Sequence, residues 1–174
     1  MRKYLIIMAA ALMAVGCAKK PVGEEQQTVA TDTVAVEAPA ENRYLDITGV
    51  TPEGKELSLS DVVGKTDFVL LDFWASWCGP CRRFIPVLKE IHAGMPEGRL
   101  QILSCSVDQD KREWLKALEE EQMPWLQMRE DEAHPCADKY KLQFIPYTVL
   151  IDREGQIVAL DPDEADIETI LWGE

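Results

Sequence analysis

Cys78 and Cys81, separated by Gly79 and Pro80, are the side chains in this 174-residue sequence best suited to do chemistry. Two thiols at this spacing can close to a disulfide with little backbone movement if the first sits at a helix start and the second within the first turn. The flanking sequence meets that condition. The apolar run Phe68–Trp74 ends shortly before the motif, and helical spacing begins after it, at Phe84, Ile85, Leu88 and Ile91. A helix N-terminus offers unpaired N–H groups and a positive dipole end, which stabilise a thiolate. Cys78 is therefore expected to be the exposed nucleophile, and Cys81, one turn on and more buried, to resolve the mixed disulfide. Two other uses of the pair are weaker. Zinc needs four ligands, whereas the chain has two histidines and no second such motif, and His134-Pro135-Cys136 lacks ligand spacing. A purely structural disulfide closing so small a loop would add little stability. No metal and no cofactor is expected.

The remaining cysteines stand apart. Cys105 falls inside a buried-strand pattern, where cysteine behaves as a small hydrophobe. Cys136 precedes a short helix and also reads as a free structural thiol. Pairing between Cys105 and Cys136 is the alternative that an oxidising compartment would favour. The formal charge of −13 argues against nucleic acid as a partner, because phosphate binding needs clustered Lys and Arg.

The elements that must position the motif follow from periodicity. Tyr44–Ile47 and Glu56–Leu59 read as short strands around the turn Pro52–Lys55. Phe68–Trp74 and Leu100–Val107 are nearly continuous apolar runs, the mark of strands buried on both faces. The spacing predicts helices from Cys78 to Gly94, over Lys111–Glu121 (burying Trp114, Leu115 and Leu118), a short one ending at Tyr140, and Asp163–Trp172. Thr148–Asp152 and Ile157–Leu160 make a hairpin around Arg153–Gln156. Strands alternating with helices imply an α/β fold with a central mixed sheet, the late hairpin supplying its antiparallel edge.

The first forty residues read differently. Arg2 and Lys3 precede an apolar run from Tyr4 to Val15, twelve residues long, against the roughly 20 needed to span a bilayer. That is the layout of an export signal. Ala14-Val15-Gly16-Cys17 resembles the bacterial lipobox, with Ala14 where that motif prefers leucine. Residues 1–16 are then a lipoprotein signal peptide and Cys17 the lipidated residue. A plain secretory signal or a retained helical anchor are the alternatives. From Ala18 to Asn42 the sequence is Glu-, Thr-, Val-, Ala- and Pro-rich without periodicity, so 17–42 reads as a lipidated, flexible tether and 43–174 as the folded domain.

Leu71-Asp72-Phe73-Trp74-Ala75-Ser76-Trp77-Cys78-Gly79-Pro80-Cys81 resembles the active-site segment of the thioredoxin superfamily. Phe144-Ile145-Pro146-Tyr147-Thr148 resembles its cis-proline loop. The export signal, the N-terminal hairpin and Leu57–Lys65 make the chain most similar to the extracytoplasmic TlpA/ResA group. The resemblance runs from Tyr44 to Leu160 and implies a thioredoxin fold, a mixed sheet flanked by helices, with an N-terminal hairpin extension. It makes Cys78 the attacking and Cys81 the resolving cysteine, and Pro146 the cis-proline that lets neighbouring backbone pair with a client. Pro86 matches the proline that kinks the first helix. Trp77, Gly79 and Pro80 frame the cysteines, with Trp74 in the core. Asp72 matches the buried acid behind the second cysteine; desolvation should raise its pKa and let it take the Cys81 proton, with a satisfied structural carboxylate at the strand end as the alternative. Phe144 and Tyr147 stand where thioredoxins carry glycine and threonine, which should reshape the client groove. Arg82 and Arg83 read as a solvated helix face, with biasing of the thiolate or steering of an acidic partner as the alternatives.

The implied activity is thiol–disulfide exchange on disulfide-bearing client proteins, by a lipoprotein facing the periplasm. The Gly-Pro pair is that of thioredoxin, so the expected direction is reduction, with electrons from a membrane donor. An oxidase or isomerase is the alternative within the class. A redox-inactive tethered binding or chaperone module is the alternative outside it.

Overall fold

In the computed structural model, which describes residues 42–173, the run Phe68–Trp74 becomes the strand around which the sheet is organised. The elements in chain order are β1 (Thr48–Val50), β2 (Glu56–Ser58), β3 (Phe68–Trp74), α1 (Gly79–Gly94), β4 (Leu100–Ser106), α2 (Lys111–Glu121), β5 (Leu126–Arg129), α3 (Cys136–Lys139), β6 (Tyr147–Asp152), β7 (Ile157–Leu160) and α4 (Glu164–Trp172). A short 3-10 turn covers Leu59–Asp61. The seven strands lie in the order β2-β1-β5-β4-β3-β6-β7. β3, β4 and β5 are parallel, while β6 runs antiparallel to β3 and β7 antiparallel to β6. This is the mixed α/β sheet, with its N-terminal hairpin, that the motifs implied.

β3 is buried on both faces because each face meets its own core. Leu70 and Trp74 pack with Ile85, Leu88, Trp114 and Ile167, under α1, α2 and α4. Val69, Leu71 and Phe73 pack with Leu103, Met128 and Ile47 on the opposite face, beside α3. Burying a side chain of this size contributes about 1.5–3 kcal/mol each, so the period-2 alternation fixes the strand's register. Asp110 and Asp163 cap α2 and α4 by accepting the backbone N–H of Arg112 at 2.8 Å and of Asp166 at 2.9 Å.

Two elements differ from expectation. Tyr44–Ile47 is not a ladder strand: its backbone groups go to scattered partners. The Leu45 N–H is 3.2 Å from the Tyr140 hydroxyl, which in turn donates to the Leu45 carbonyl at 2.9 Å, and the Ile47 carbonyl accepts from Leu59 at 2.8 Å. The hairpin's first strand is instead β1, paired with β2 from Thr48↔Ser58 to Val50↔Glu56. β5 was not expected at all. It is four residues long, with Gln127 on its buried face, so it lacks the apolar run or clean alternation of a strand. On α2, Ala117 is buried with Trp114, while Leu115 and Leu118 are half-buried.

The expected signal segment, Cys17 and the expected tether up to residue 41 lie outside the described residues. Asn42, assigned to the tether, already docks on β7. Its carbonyl accepts from the Ile157 N–H at 2.7 Å and its side-chain amide donates to the Ile157 carbonyl. Among the described residues, no helix is long and apolar enough to cross a membrane.

β1 joins the sheet through a single register pair, Val50↔Arg129, and needs Gly49 to do so. A Cβ there would stand 2.9 Å from the Arg129 carbonyl oxygen and 3.1 Å from Met128 Cγ. Gly49→Val should therefore destabilise the domain by about 1–3 kcal/mol, read as a lower urea midpoint. A midpoint equal to the parent's would mean that β1 adjusts freely.

Candidate active site

β3 ends at Trp74, and the chain turns through Ala75, Ser76 and Trp77 into α1. Cys78 is the N-cap of that helix, with Pro80 in the first turn, where the missing N–H costs nothing. The Cys81 backbone N–H donates to Cys78 Sγ at 3.1 Å, and the Arg82 N–H to the Cys78 carbonyl at 3.1 Å. A sulfur held there receives both a hydrogen bond and the positive end of the helix dipole, which favours its thiolate when reduced. The two sulfurs are bonded to each other, with Cα atoms 5.3 Å apart. Pro86 lies inside α1 as expected.

Exposure corrects one expectation. Cys78 is 4% exposed and Cys81 2%, so the first cysteine is barely more open than the second. The cause is the loop facing it: the Ile145 carbonyl oxygen lies 3.8 Å from Cys78 Sγ, and the Ile145–Pro146 peptide is cis. Aromatic groups stand out around this covered disulfide. Trp77 is 69% and Phe144 58% exposed, and the Phe144 ring meets Tyr147 edge-on at 5.9 Å. Trp74, by contrast, is buried.

Asp72 sits two residues before the end of β3, on the sheet face that also carries Leu70, Trp74 and, beneath α1, Cys81. It is 2% exposed. The Ser104 hydroxyl, directly across on β4, donates to Asp72 Oδ2 at 2.8 Å, and the Trp125 indole N–H donates to Ser104 at 2.8 Å. Gln127 and Thr148 extend the row onto β5 and β6, so one buried polar line crosses four strands. Burial raises the Asp72 pKa to about 6, and the Ser104 hydrogen bond opposes that rise. No cation faces the carboxylate within hydrogen-bonding distance among the described residues.

Sequence reasoning missed Ser104, Trp125 and a second buried acid, Asp108. Asp108 accepts the Ser76 N–H at 2.8 Å and the Ser76 and Ser106 hydroxyls at 2.6 Å and 2.7 Å, which pins the segment just before Cys78 to the end of β4. The signal available was Ser104-Cys105-Ser106-Val107-Asp108, small polar residues alternating at the end of a buried strand. Arg82 is not a free cation. It donates to Glu121 and Glu120 at 2.7 Å each and so clamps α1 to α2. Arg83 remains on the exposed face. Among the described residues, no three His, Cys, Asp or Glu side chains converge as a metal site would require.

A family model described as thioredoxin-like matches residues 65–157. A thiol-disulfide oxidoreductase ResA of Bacillus cereus is 26% identical over 106 residues, which span 61% of this chain and 60% of that protein. Two solved structures are each 30% identical. The thioredoxin domain of a thiol-disulfide oxidoreductase from Bacteroides vulgatus superposes with a TM-score of 0.65, covering 75% of this chain and 94% of that one. A thiol:disulfide interchange protein from a Bacteroides species superposes with a TM-score of 0.66, covering 76% and 87%.

The geometry of Asp72 has a measurable consequence. The unfolded carboxyl ionises near 3.8 and the folded one near 6. Between those values the folded state holds the extra proton, so stability falls as pH rises through this window and is level above it. The fall should be about 3 kcal/mol. Asp72→Asn should remove it, so urea unfolding from pH 4 to pH 8 should show the variant gaining on the parent up to pH 6. A difference independent of pH would contradict the buried acid.

Proposed function

The chain belongs to the thioredoxin-like family, and from that premise we propose that it is a thiol–disulfide oxidoreductase that reduces client-protein disulfides outside the cytoplasm. The observation that carries this reading is the sulfur of Cys78 at the N-cap of α1, hydrogen-bonded by the Cys81 N–H at 3.1 Å.

In the reduced protein the Cys78 thiolate attacks one sulfur of a client disulfide, and the other client sulfur leaves as a thiolate. Asp72, with a pKa about 6, is mostly ionised at neutral pH and takes the proton of the Cys81 thiol. Cys81 then attacks Cys78 Sγ, the client's second sulfur departs, and two electrons have passed from the pair to the client. The resulting Cys78–Cys81 disulfide requires a dithiol donor to restore it. The exposed aromatic rim of Trp77 and Phe144 offers apolar contact to a client segment laid beside Ile145 and Pro146. Trp77, Gly79 and Pro80 shape the motif without taking part in electron transfer.

The sequence supports the rest of the assignment. Residues 1–16 act as a lipoprotein signal, Cys17 carries the lipid, and 17–42 tether domain 43–174 to a bacterial membrane on its periplasmic side. A membrane-bound thiol–disulfide relay is the natural donor there, since glutathione does not poise that compartment. Reduction rather than oxidation follows from the Gly-Pro pair, the one thioredoxin carries.

Cys81→Ser should accumulate a mixed disulfide between Cys78 and clients, resolved by reductant on a non-reducing gel. Cys78→Ser should trap none. Equal trapping by both variants, or by neither, would remove the exchange mechanism. In rapid mixing with a model disulfide at pH 7, Asp72→Asn should leave the attack by Cys78 unchanged and slow resolution roughly 10²-fold. Slowing of both steps alike would deny Asp72 a role in moving the Cys81 proton.

A further inference from the structure

The buried carboxyl of Asp72 depends on one hydroxyl. Among the described residues, its single side-chain hydrogen bond comes from Ser104, 2.8 Å from Oδ2, and Oδ1 receives none. Thr148, the register partner of Asp72 on β6, has a buried hydroxyl that meets no hydrogen-bond partner among the described residues. Ser104 is itself fully buried, and its oxygen lies 2.8 Å from the indole nitrogen of Trp125, which is 6% exposed between α2 and β5. The chemistry of the three groups sets the direction of both bonds. An indole N–H only donates, an ionised carboxylate only accepts, and a hydroxyl has one hydrogen beside its lone pairs. With Trp125 donating to its oxygen, Ser104 turns its one hydrogen to the acid.

We propose that Ser104 and Trp125 are positioning residues for Asp72: the indole commits the Ser104 hydrogen to Oδ2, which holds the carboxylate form and leaves Oδ1 to take up a proton. The use of that arrangement rests on the reading of Asp72 as the acceptor of the Cys81 proton. In that step the Cys81 S–H bond breaks, an O–H bond forms on Asp72, and the electron pair stays on the sulfur that attacks Cys78. A hydrogen bond to a charged group is stronger than one between neutral groups. Burial drives the acid up, and the Ser104 bond is what draws it back. Trp125 acts at one remove, since its hydrogen bond goes to Ser104.

The other titratable groups around this core have their own places. From α1, Cys78 and Cys81 are joined to each other, and Arg82 is turned to Glu120 and Glu121 of α2. His92, late in α1, meets Trp125 with ring centroids 5.6 Å apart. Asp108, just after β4, is held by Ser76 and Ser106, and Cys105 of β4 belongs to the opposite core. α4 contributes Ile167 and Leu171.

The test titrates the Asp72 carboxyl by carbon-13 NMR in the full chain, labelled at aspartate and oxidised at Cys78 and Cys81, with Asp72→Asn supplying the assignment. The parent should titrate at about pH 6. Ser104→Ala should raise the midpoint by about one pH unit, and Trp125→Phe, which keeps a ring in the core, by a smaller step in the same direction. The double variant should titrate with Ser104→Ala, because the indole acts only through the hydroxyl. A Ser104→Ala midpoint at or below the parent's would overturn the proposal. So would a Trp125→Phe midpoint equal to the parent's, or a double variant beyond Ser104→Ala. Trp125→Phe reads the bond alone if the alanine chain does not fold. The pH profile of the resolution step, measured by rapid mixing on the same variants, should move by the same amounts. Carboxyl midpoints that move over an unmoved resolution profile would uphold the pair's hold on Asp72 and remove Asp72 from the proposed exchange, so the two failures are told apart.

Discussion

The register of β3 between β4 and β6 is the constraint on which the rest of the site depends. β3 is hydrogen-bonded along its length on both sides, parallel to β4 from Phe68↔Leu100 to Trp74↔Ser106 and antiparallel to β6 from Phe68↔Asp152 to Phe73↔Tyr147. Because β6 runs the other way, its first residue lies beside the end of β3. Pro146 and the Ile145 carbonyl therefore arrive at the point where Cys78 begins α1. The end of β4 reaches the same place and delivers Asp108 to Ser76. A slip of one residue would turn Asp72 to the opposite face and put Phe73 beneath α1.

Two opposed electrostatic arrangements meet at this end of the sheet. Cys78 is placed where negative charge is welcome, at a helix start with an N–H aimed at its sulfur. Asp72 is placed where negative charge is costly, in a dry core with one hydroxyl donor and that donor's own indole partner. The first arrangement favours a thiolate at Cys78, and the second holds the Asp72 carboxyl at a pKa of about 6. The core carries this carboxylate at a cost to stability, and the carboxylate lies on the sheet face beneath α1. Asp108 contrasts with it. That acid is equally buried yet accepts three hydrogen bonds, and its geometry serves to hold Ser76 in place.

Much of this was legible in the sequence. Phe68–Trp74, Lys111–Glu121 and Ile157–Leu160 were placed to the residue, because long apolar runs, a capped amphipathic stretch and a glycine turn are local signals. The pairing of the cysteine motif with the proline loop was legible only through the resemblance of both segments to the thioredoxin superfamily. What escaped depends on tertiary context. β5 has too few apolar residues to announce itself, and it is a strand because β4 lies beside it. Ser104 and Trp125 are ordinary residues until the register sets one against Asp72 and the other against Ser104. Cys78 was expected to be exposed because helix starts generally are. The Ile145–Pro146 loop, distant in sequence, covers it.

The central claim is that the Cys78–Cys81 pair is a reducing dithiol, and its reduction potential tests this most directly. The protein would be equilibrated against glutathione or dithiothreitol buffers, with the state of Cys78 and Cys81 read by mass. The account predicts a value near that of thioredoxin, about −270 mV. A value near that of a strong disulfide donor, about −120 mV, would reverse the direction of electron flow and contradict it.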